Sequence, residues 1–268
     1  GIAEETSKRT RQTPPSLFDL TSLQREANSR FGFSAKTTLS IAQSLYEKHK
    51  VLTYPRTDAR ALPEDYIPTV NETLRQLSAL NSYELFSQKV LAKNWVVPDK
   101  RVFNNVMISD HFAIIPTGQL PKALSEAEQK IYDLVVRRFI SQFFPAAEYD
   151  VTTRITTVEG HQFKTEGKVL IVPGWLEVMG KSLRSNKDEI TPLKQQGEKA
   201  HVNGIELEAQ KTRPPARYTE ATLLTAMETA GRQLDDEELR DIMADKGLGT
   251  PATRAATIEG LIEQKYMR

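Results

Sequence analysis

The densest chemical cluster in the chain is Tyr54-Pro55-Arg56-Thr57-Asp58. A tyrosine hydroxyl titrates near pH 10, so at pH 7 its phenolate lies roughly 4 kcal/mol uphill. A nucleophilic tyrosine therefore needs a neighbouring cation or base. Arg56 lies two residues on, which in extended backbone puts both side chains on one face. A guanidinium there could neutralise a phosphate and stabilise charge building on it during transesterification. Asp58, one step further along that face, could orient the arginine. Short Tyr/Arg/Asp clusters are common, however, and in isolation a buried tyrosine beside a surface salt bridge is the better explanation of these residues.

Two other segments carry chemistry. His111 stands in Ser109-Asp110-His111-Phe112-Ala113-Ile114-Ile115-Pro116-Thr117. It reads either as a satisfied core histidine beside an apolar run, or as a phosphate contact or proton donor. Gly247-Leu248-Gly249-Thr250-Pro251-Ala252-Thr253 opens a helix. Glycines let backbone approach a ligand, first-turn N–H groups face anions, and the hydroxyls of Thr250 and Thr253 could add donors to a phosphate. Ordinary helix capping explains the same residues.

Other chemistries are poorly served. The chain has no cysteine, which excludes disulfides, thiolate catalysis and zinc-thiolate sites. His49, His111, His161 and His201 are far apart and form no helical i, i+4 pair, so no metal site is expected. Asp235-Asp236-Glu237-Glu238 is the only dense acidic run, and a helix start accounts for it. Net charge is only +1. Residues 1–60 carry ten Lys/Arg against six Asp/Glu, and residues 201–268 nine against twelve. Any nucleic-acid contact must then be local and geometric rather than a general basic coat. No apolar run approaches the roughly 20 residues needed to span a bilayer, and the N-terminus has no secretory pattern. A cytoplasmic location is expected.

The elements that must position these residues can be sketched from periodicity. Residues 1–15 are polar, with Lys8-Arg9-Thr10-Arg11 and Pro14-Pro15, and read as a linker or the tail of something upstream. Leu20, Leu23, Ala27 and Phe31 have helical spacing that Gly32 ends. Ser34 can cap a second helix reaching about Lys48, with Leu39, Ala42, Leu45 and Tyr46 as its apolar stripe. Val51 to Tyr54 is extended, and Pro55 biases Tyr54 away from helical angles. Further helical patterns cover 65–93 and 125–143, the latter with Ile131, Leu134, Val135 and Phe139 as its inner face. Residues 149–157 and 162–179, rich in Val, Ile, Thr and Phe around Glu159-Gly160, read as a β-hairpin or meander. Residues 181–200 read as loop and 201–210 as one more strand. After Pro214-Pro215 come three short helices, starting at Thr219, Asp235 and Thr250. The fold class is therefore mixed α and β, multi-domain.

The cluster Tyr54 to Asp58 resembles the active-site signature of type IA DNA topoisomerases, and the likeness extends along the chain. Thr21-Ser22-Leu23-Gln24 with Phe31-Gly32-Phe33-Ser34 is similar to the helix pair preceding that tyrosine. Ile41 to Glu47 is similar to the helix packed behind it. His111 to Thr117 resembles the family's histidine segment, and Pro214 to Glu220 and Gly247 to Ala255 its DNA-contacting helices. These blocks occur in the family's order over roughly residues 14–265. The wording Tyr-Pro-Arg and Gly-Thr-Pro-Ala-Thr resembles the bacterial topoisomerase III branch. Thr250 stands where other members have an arginine, which removes a charge-assisted DNA contact there.

The resemblance implies that Tyr54 attacks a phosphodiester of single-stranded DNA and becomes joined to the 5′ phosphate, changing DNA topology without ATP. It implies catalytic roles for Tyr54, Arg56 and His111, and DNA contacts at Gln43, Asp58, Thr250 and Thr253. It implies a linker or end of the arch over 1–13, a helical tyrosine domain over 14–148, a β-rich arch over 149–212 and the start of a helical base over 213–268. The family's Mg²⁺ ion is bound by a Glu and an Asp-x-Asp-x-Glu motif in a Toprim domain that precedes the segment seen here. Asp235 to Glu238 has the wrong spacing for that motif, so the chain is expected to be a piece lacking the Mg²⁺ site and unable to relax supercoiled DNA by itself. Expected partners are single-stranded DNA, the Toprim domain of the same protein, a RecQ-type helicase and a single-strand-binding protein, in a nucleoid-associated setting, with decatenation among the family's tasks. Two rivals make different predictions. A non-catalytic helix-turn-helix-type module over 219–265 would bind duplex sequence-specifically. An integrase-like tyrosine recombinase would carry its tyrosine near the C-terminal end and form a 3′-phosphotyrosine.

Overall fold

A computed structural model describes residues 1–108, 110–180, 193, 195–233, 240 and 247–267. The chain divides into two compact units, one formed by Gly1–Pro14 with Phe144–Pro215 and one by Pro15–Phe143 with Ala216–Arg268. No helix among the described residues is long and apolar enough to cross a membrane.

The first unit is built on a sheet. Strands β1 (Ile2–Gln12), β2 (Ala147–Val158), β3 (His161–Val172) and β4 (Glu198–Lys199) form an antiparallel sheet in the order β3-β2-β1-β4. The β2–β3 hairpin closes through Glu159 and Gly160, both at positive φ (48° and 83°). That two-residue geometry matches the right-handed twist of the flanking strands. β1 pairs with β2 from Ile2↔Thr157 to Gln12↔Ala147. Of the two expectations for residues 1–13, linker or end of the arch, the strand Ile2–Gln12 does not fit a linker. Most of β1 is exposed, so it shows no apolar alternation, and three of its cross-strand pairs with β2 are ionic. Arg9 meets Asp150 at 2.9 Å, Arg11 meets Glu148 at 3.0 Å, and Arg154 bonds Glu5. Residues 201–210 form no strand, and the fourth strand is the two-residue β4 just before them. Much of the expected loop over 181–200 and of the helix starting at Asp235 lies outside the described residues.

The second unit is helical. Helix α1 (Leu20–Phe31) is capped by Asp19, whose side chain accepts from Ser22 N, and ends at Gly32 in left-handed backbone (φ 69°). Helix α2 (Ala35–Glu47) starts at Ser34, whose Oγ accepts from Thr37 N at 3.0 Å. The helical pattern over 65–93 resolves into α3 (Ile67–Leu77) and α4 (Glu84–Ala92). Helix α5 (Glu126–Ser141) buries Ile131, Leu134, Val135 and Phe139. Helices α6 (Glu220–Glu228) and α7 (Pro251–Glu263) follow. Leu224, Ala255 and Ile258 pack with Ala35 in one buried cluster, so α6 and α7 share a core with α2.

Glu128 ties α2 to α5. Its carboxylate accepts from Ser125 N at 2.9 Å, from Ser44 Oγ at 2.7 Å, and meets His49 Nε2 at 3.1 Å. The Ser125 N–H first, then the Ser44 hydroxyl, hold its pKa down at about 2, against an ordinary value of 4.5. A depressed carboxylate contributes stability that is complete above the unfolded pKa and is lost as pH falls through the folded one. The melting-temperature gap between wild type and Glu128→Gln is therefore expected to be full near about pH 6 and to close between 4.5 and about 2. A gap independent of pH over that range would refute this account.

Candidate active site

Tyr54 sits just after a short extended segment that two backbone pairings fix. Thr53 N donates to Ile115 O at 3.0 Å, and Thr117 N donates to Val51 O at 3.1 Å. The Thr53 side chain closes the same pairing, donating to Ala113 O at 3.0 Å and accepting from Ile115 N at 2.9 Å. The histidine segment is thus laid beside the tyrosine segment by hydrogen bonds. Buried Thr57 adds a bond from its Oγ1 to His111 O at 3.2 Å.

The result is ring contact. The Tyr54 and His111 rings lie 4.4 Å apart, centre to centre, tilted by 45°. Tyr54 also meets Tyr46 of α2 edge-on, at 5.4 Å and 77°. His111 is exposed rather than a core residue, because its neighbours Ala113 to Pro116 supply the buried part of the segment. Arg56 is exposed and faces Gln43 of α2. With the Gln43 amide oriented so that its oxygen meets the donors, that oxygen accepts from Arg56 Nε at 3.2 Å and Nη2 at 2.9 Å.

A cleft of about 210 Å³ is lined by Arg56, Thr57, Asp58, Asp110, His111 and the start of α7 at Thr250 and Pro251. Thr250 thus reaches the same space as Arg56 and His111. The Thr253 hydroxyl is engaged in the cap of α7, accepting from Thr250 N at 2.9 Å and donating to Thr250 O at 3.2 Å. Gly247, at φ 58°, lies against the end of α6, where a Cβ would come within 2.4 Å of Met227 O. Only glycine lets the loop approach that closely.

Residues given no role by sequence reasoning complete the frame. Arg254 is buried, and its guanidinium donates to Leu248 O at 3.0 Å, Gly249 O at 3.2 Å and Thr21 Oγ1 at 3.0 Å. Burial pulls its pKa below the ordinary arginine value, and the nearby Glu228 and Asp19 oppose that. Arg60 donates to Asp19 at 2.8 Å and to Glu228 at 3.0 Å, tying the cap of α1 to the end of α6. No spacing rule would have found Arg60, whose partners are distant in sequence, or the link from Arg254 to Thr21. Asp58, Asp110 and His111 share the cleft, yet among the described residues no three His, Asp or Glu side chains come together to hold a metal ion. These residues do not fit a Mg²⁺ site.

The sequence profile of the family described as DNA topoisomerase matches residues 1–268. The chain belongs to the DNA topoisomerase family. Within it, this topoisomerase chain is similar to type IA members. It is 41% identical over 271 residues to DNA topoisomerase 3 of Bacillus cereus, covering 97% of this chain and 37% of that protein. DNA topoisomerase 3 of Bacillus subtilis is 38% identical, again over 97% of this chain and 37% of its own length. The fold is similar to that of full-length topoisomerase I from Thermotoga maritima, with a TM-score of 0.67 and 25% identity, over 100% of this chain and 41% of that one. The topoisomerase chain therefore spans well under half the length of these relatives. Its mixed α and β architecture with an antiparallel sheet is that of the type IA class. A match over every residue, with α6 and α7 in the same core as α2, does not favour a free-standing helix-turn-helix module.

Proposed function

We propose that this chain carries the nucleophile and part of the DNA gate of a type IA topoisomerase. The observation that carries the reading is the ring contact of Tyr54 with His111, beside Arg56 held by Gln43, with His111 and Arg56 lining one cleft. In this reading the Tyr54 hydroxyl loses its proton and attacks the phosphorus of a single-stranded DNA phosphodiester. A bond forms from Tyr54 Oη to phosphorus, the bond from phosphorus to the 3′ oxygen breaks, and that oxygen takes up a proton. The products are a 5′-phosphotyrosine and a free 3′ hydroxyl, and resealing reverses both steps. The exchange conserves one phosphodiester, so no ATP is consumed.

Arg56 neutralises the scissile phosphate and stabilises its developing charge. Gln43 holds Arg56 and borders the strand. His111 contacts the phosphate or delivers the proton nearby. Asp58 supports the arginine side of the cleft. Thr250 and Thr253, at the start of α7, hold the DNA backbone. Residues 14–148 serve as the tyrosine domain, 149–212 as part of the arch, with β1 completing its sheet, and 213–268 as the beginning of the base. A Toprim domain supplies Mg²⁺ from outside the described residues. A RecQ-type helicase and a single-strand-binding protein are the partners the resemblance suggests, and decatenation is among its tasks.

The test uses the protein at the full length of its relatives. It is trapped with denaturant on end-labelled single-stranded DNA, and the linked peptide and phosphate end are mapped. Linkage of Tyr54 to a 5′ phosphate is expected. Linkage at another residue, or to a 3′ phosphate, overturns the reading. In the same assay series the 268-residue chain alone, with Mg²⁺, is expected to leave supercoiled DNA unrelaxed.

A further inference from the structure

Tyr54 lies where regular structure ends. Thr53 is the last residue of its segment held by backbone pairing to residues 113–117, and Pro55 and Arg56 form a bend. The direction of the Tyr54 side chain must then be set by side-chain contacts. One face of α2 supplies them. Gln43 and Tyr46 are spaced i, i+3, which places them side by side on that helix. Gln43 takes Arg56, and Tyr46 takes Tyr54, so one helical face engages both members of the Tyr54-x-Arg56 pair.

The Tyr46 ring is itself held. The Lys50 ammonium lies 5.6 Å from its centre, a cation–π distance. The Lys50 carbonyl accepts from Thr117 Oγ1 at 2.7 Å, which ties the end of α2 to the segment carrying His111. Three rings and one cation thus run in contact from His111 through Tyr54 and Tyr46 to Lys50.

We infer that Tyr46 is a positioning residue for the nucleophile. Its ring edge fixes the direction of the Tyr54 side chain, and its own hydroxyl takes no part in the chemistry. The inference rests on the reading of Tyr54 as the nucleophile. Near-attack geometry tolerates little displacement, and about an ångström of misplacement can cost on the order of a hundredfold in rate.

The experiment measures single-turnover cleavage of labelled single-stranded DNA by the protein at the full length of its relatives, over a range of protein concentration. This separates the cleavage rate at saturation from DNA affinity. Tyr46→Phe keeps the ring and is expected to cleave within about twofold of wild type. Tyr46→Leu removes it and is expected to lose about tenfold or more in the saturating rate, with unchanged affinity. Tyr46→Met, similarly bulky but without a ring, carries the test if the leucine variant fails to fold. Wild-type rates in both ringless variants overturn the inference, as does an equal loss in Tyr46→Phe, which would assign the work to the hydroxyl. A loss confined to affinity also overturns it. Adduct mapping separates the two readings. Absence of a Tyr54 adduct in the wild type sinks the proposed function itself. A Tyr54 adduct with insensitive Tyr46 variants sinks only this inference.

Discussion

Tyr54→Phe is expected to abolish the covalent DNA adduct while leaving single-stranded DNA affinity and melting temperature at wild-type levels. The Tyr54 ring is half-buried and held by Tyr46 at 5.4 Å and His111 at 4.4 Å. A phenylalanine keeps both ring contacts, so the stability change should stay within about 0.5 kcal/mol. What disappears is the one atom that can join the phosphate. Removing the nucleophile of a covalent mechanism costs about four orders of magnitude or more, because no neighbouring group replaces it. The assay is denaturant trapping on labelled oligonucleotide, with melting and binding measured on the same preparations. An adduct forming at the wild-type rate in Tyr54→Phe would show that another residue attacks. Loss of binding in parallel would show that the variant had disturbed the site rather than the chemistry.

Arg56→Ala should also lower the rate strongly, though less than Tyr54→Phe and for a different reason. The Arg56 side chain is exposed, so its removal costs little stability. Two of its five N–H donors go to the Gln43 oxygen, at 3.2 and 2.9 Å, which orients the planar fork and leaves the remaining donors for a ligand. A preorganised cation aimed at charge that develops in the transition state is worth about 10²–10³ in rate. Arg56→Ala should therefore lower the saturating cleavage rate by about that factor. The salt slope of single-stranded DNA binding should change by only about one phosphate contact, roughly 0.7 in the logarithmic slope. Arg56→Lys should recover only part of the rate, since an ammonium cannot use the Gln43 oxygen and a phosphate through one rigid fork. Full recovery in Arg56→Lys would reduce the role to charge alone. An unchanged rate in Arg56→Ala would remove Arg56 from the chemistry.

Much of the frame was legible because its determinants are local. Ser34 caps α2 as its position suggests, since a hydroxyl and the third following N–H are always within reach. The inner face of α5 follows from 3.6-residue spacing. Glu159-Gly160 closes a hairpin because Gly160 takes the positive φ that its turn position requires without steric cost. The ordered motifs identified the family, since order over the whole chain is far more specific than any single cluster. The break between α3 and α4, by contrast, carries no Gly or Pro from Ser78 to Tyr83, and apolar periodicity ran across it.

By itself, then, the sequence determined which side chains could do chemistry, the helices that flank them and the family the chain belongs to. The tertiary structure decided which of those side chains meet. β1 could be recognised only from its partner strand at 147–158, because its exposed faces leave no apolar alternation to read. His111 became a ring contact of Tyr54 only through the hydrogen bonds that lay residues 113–117 beside 51–53. Arg60 and Arg254 acquired partners on α1, near the end of α6 and in the loop before α7, and Tyr46 changed from one member of an apolar stripe into the neighbour of the nucleophile. The reason is physical. Propensity, capping and turn preference act over a few residues, whereas the contacts that build the site join groups far apart along the chain, and only packing brings those together.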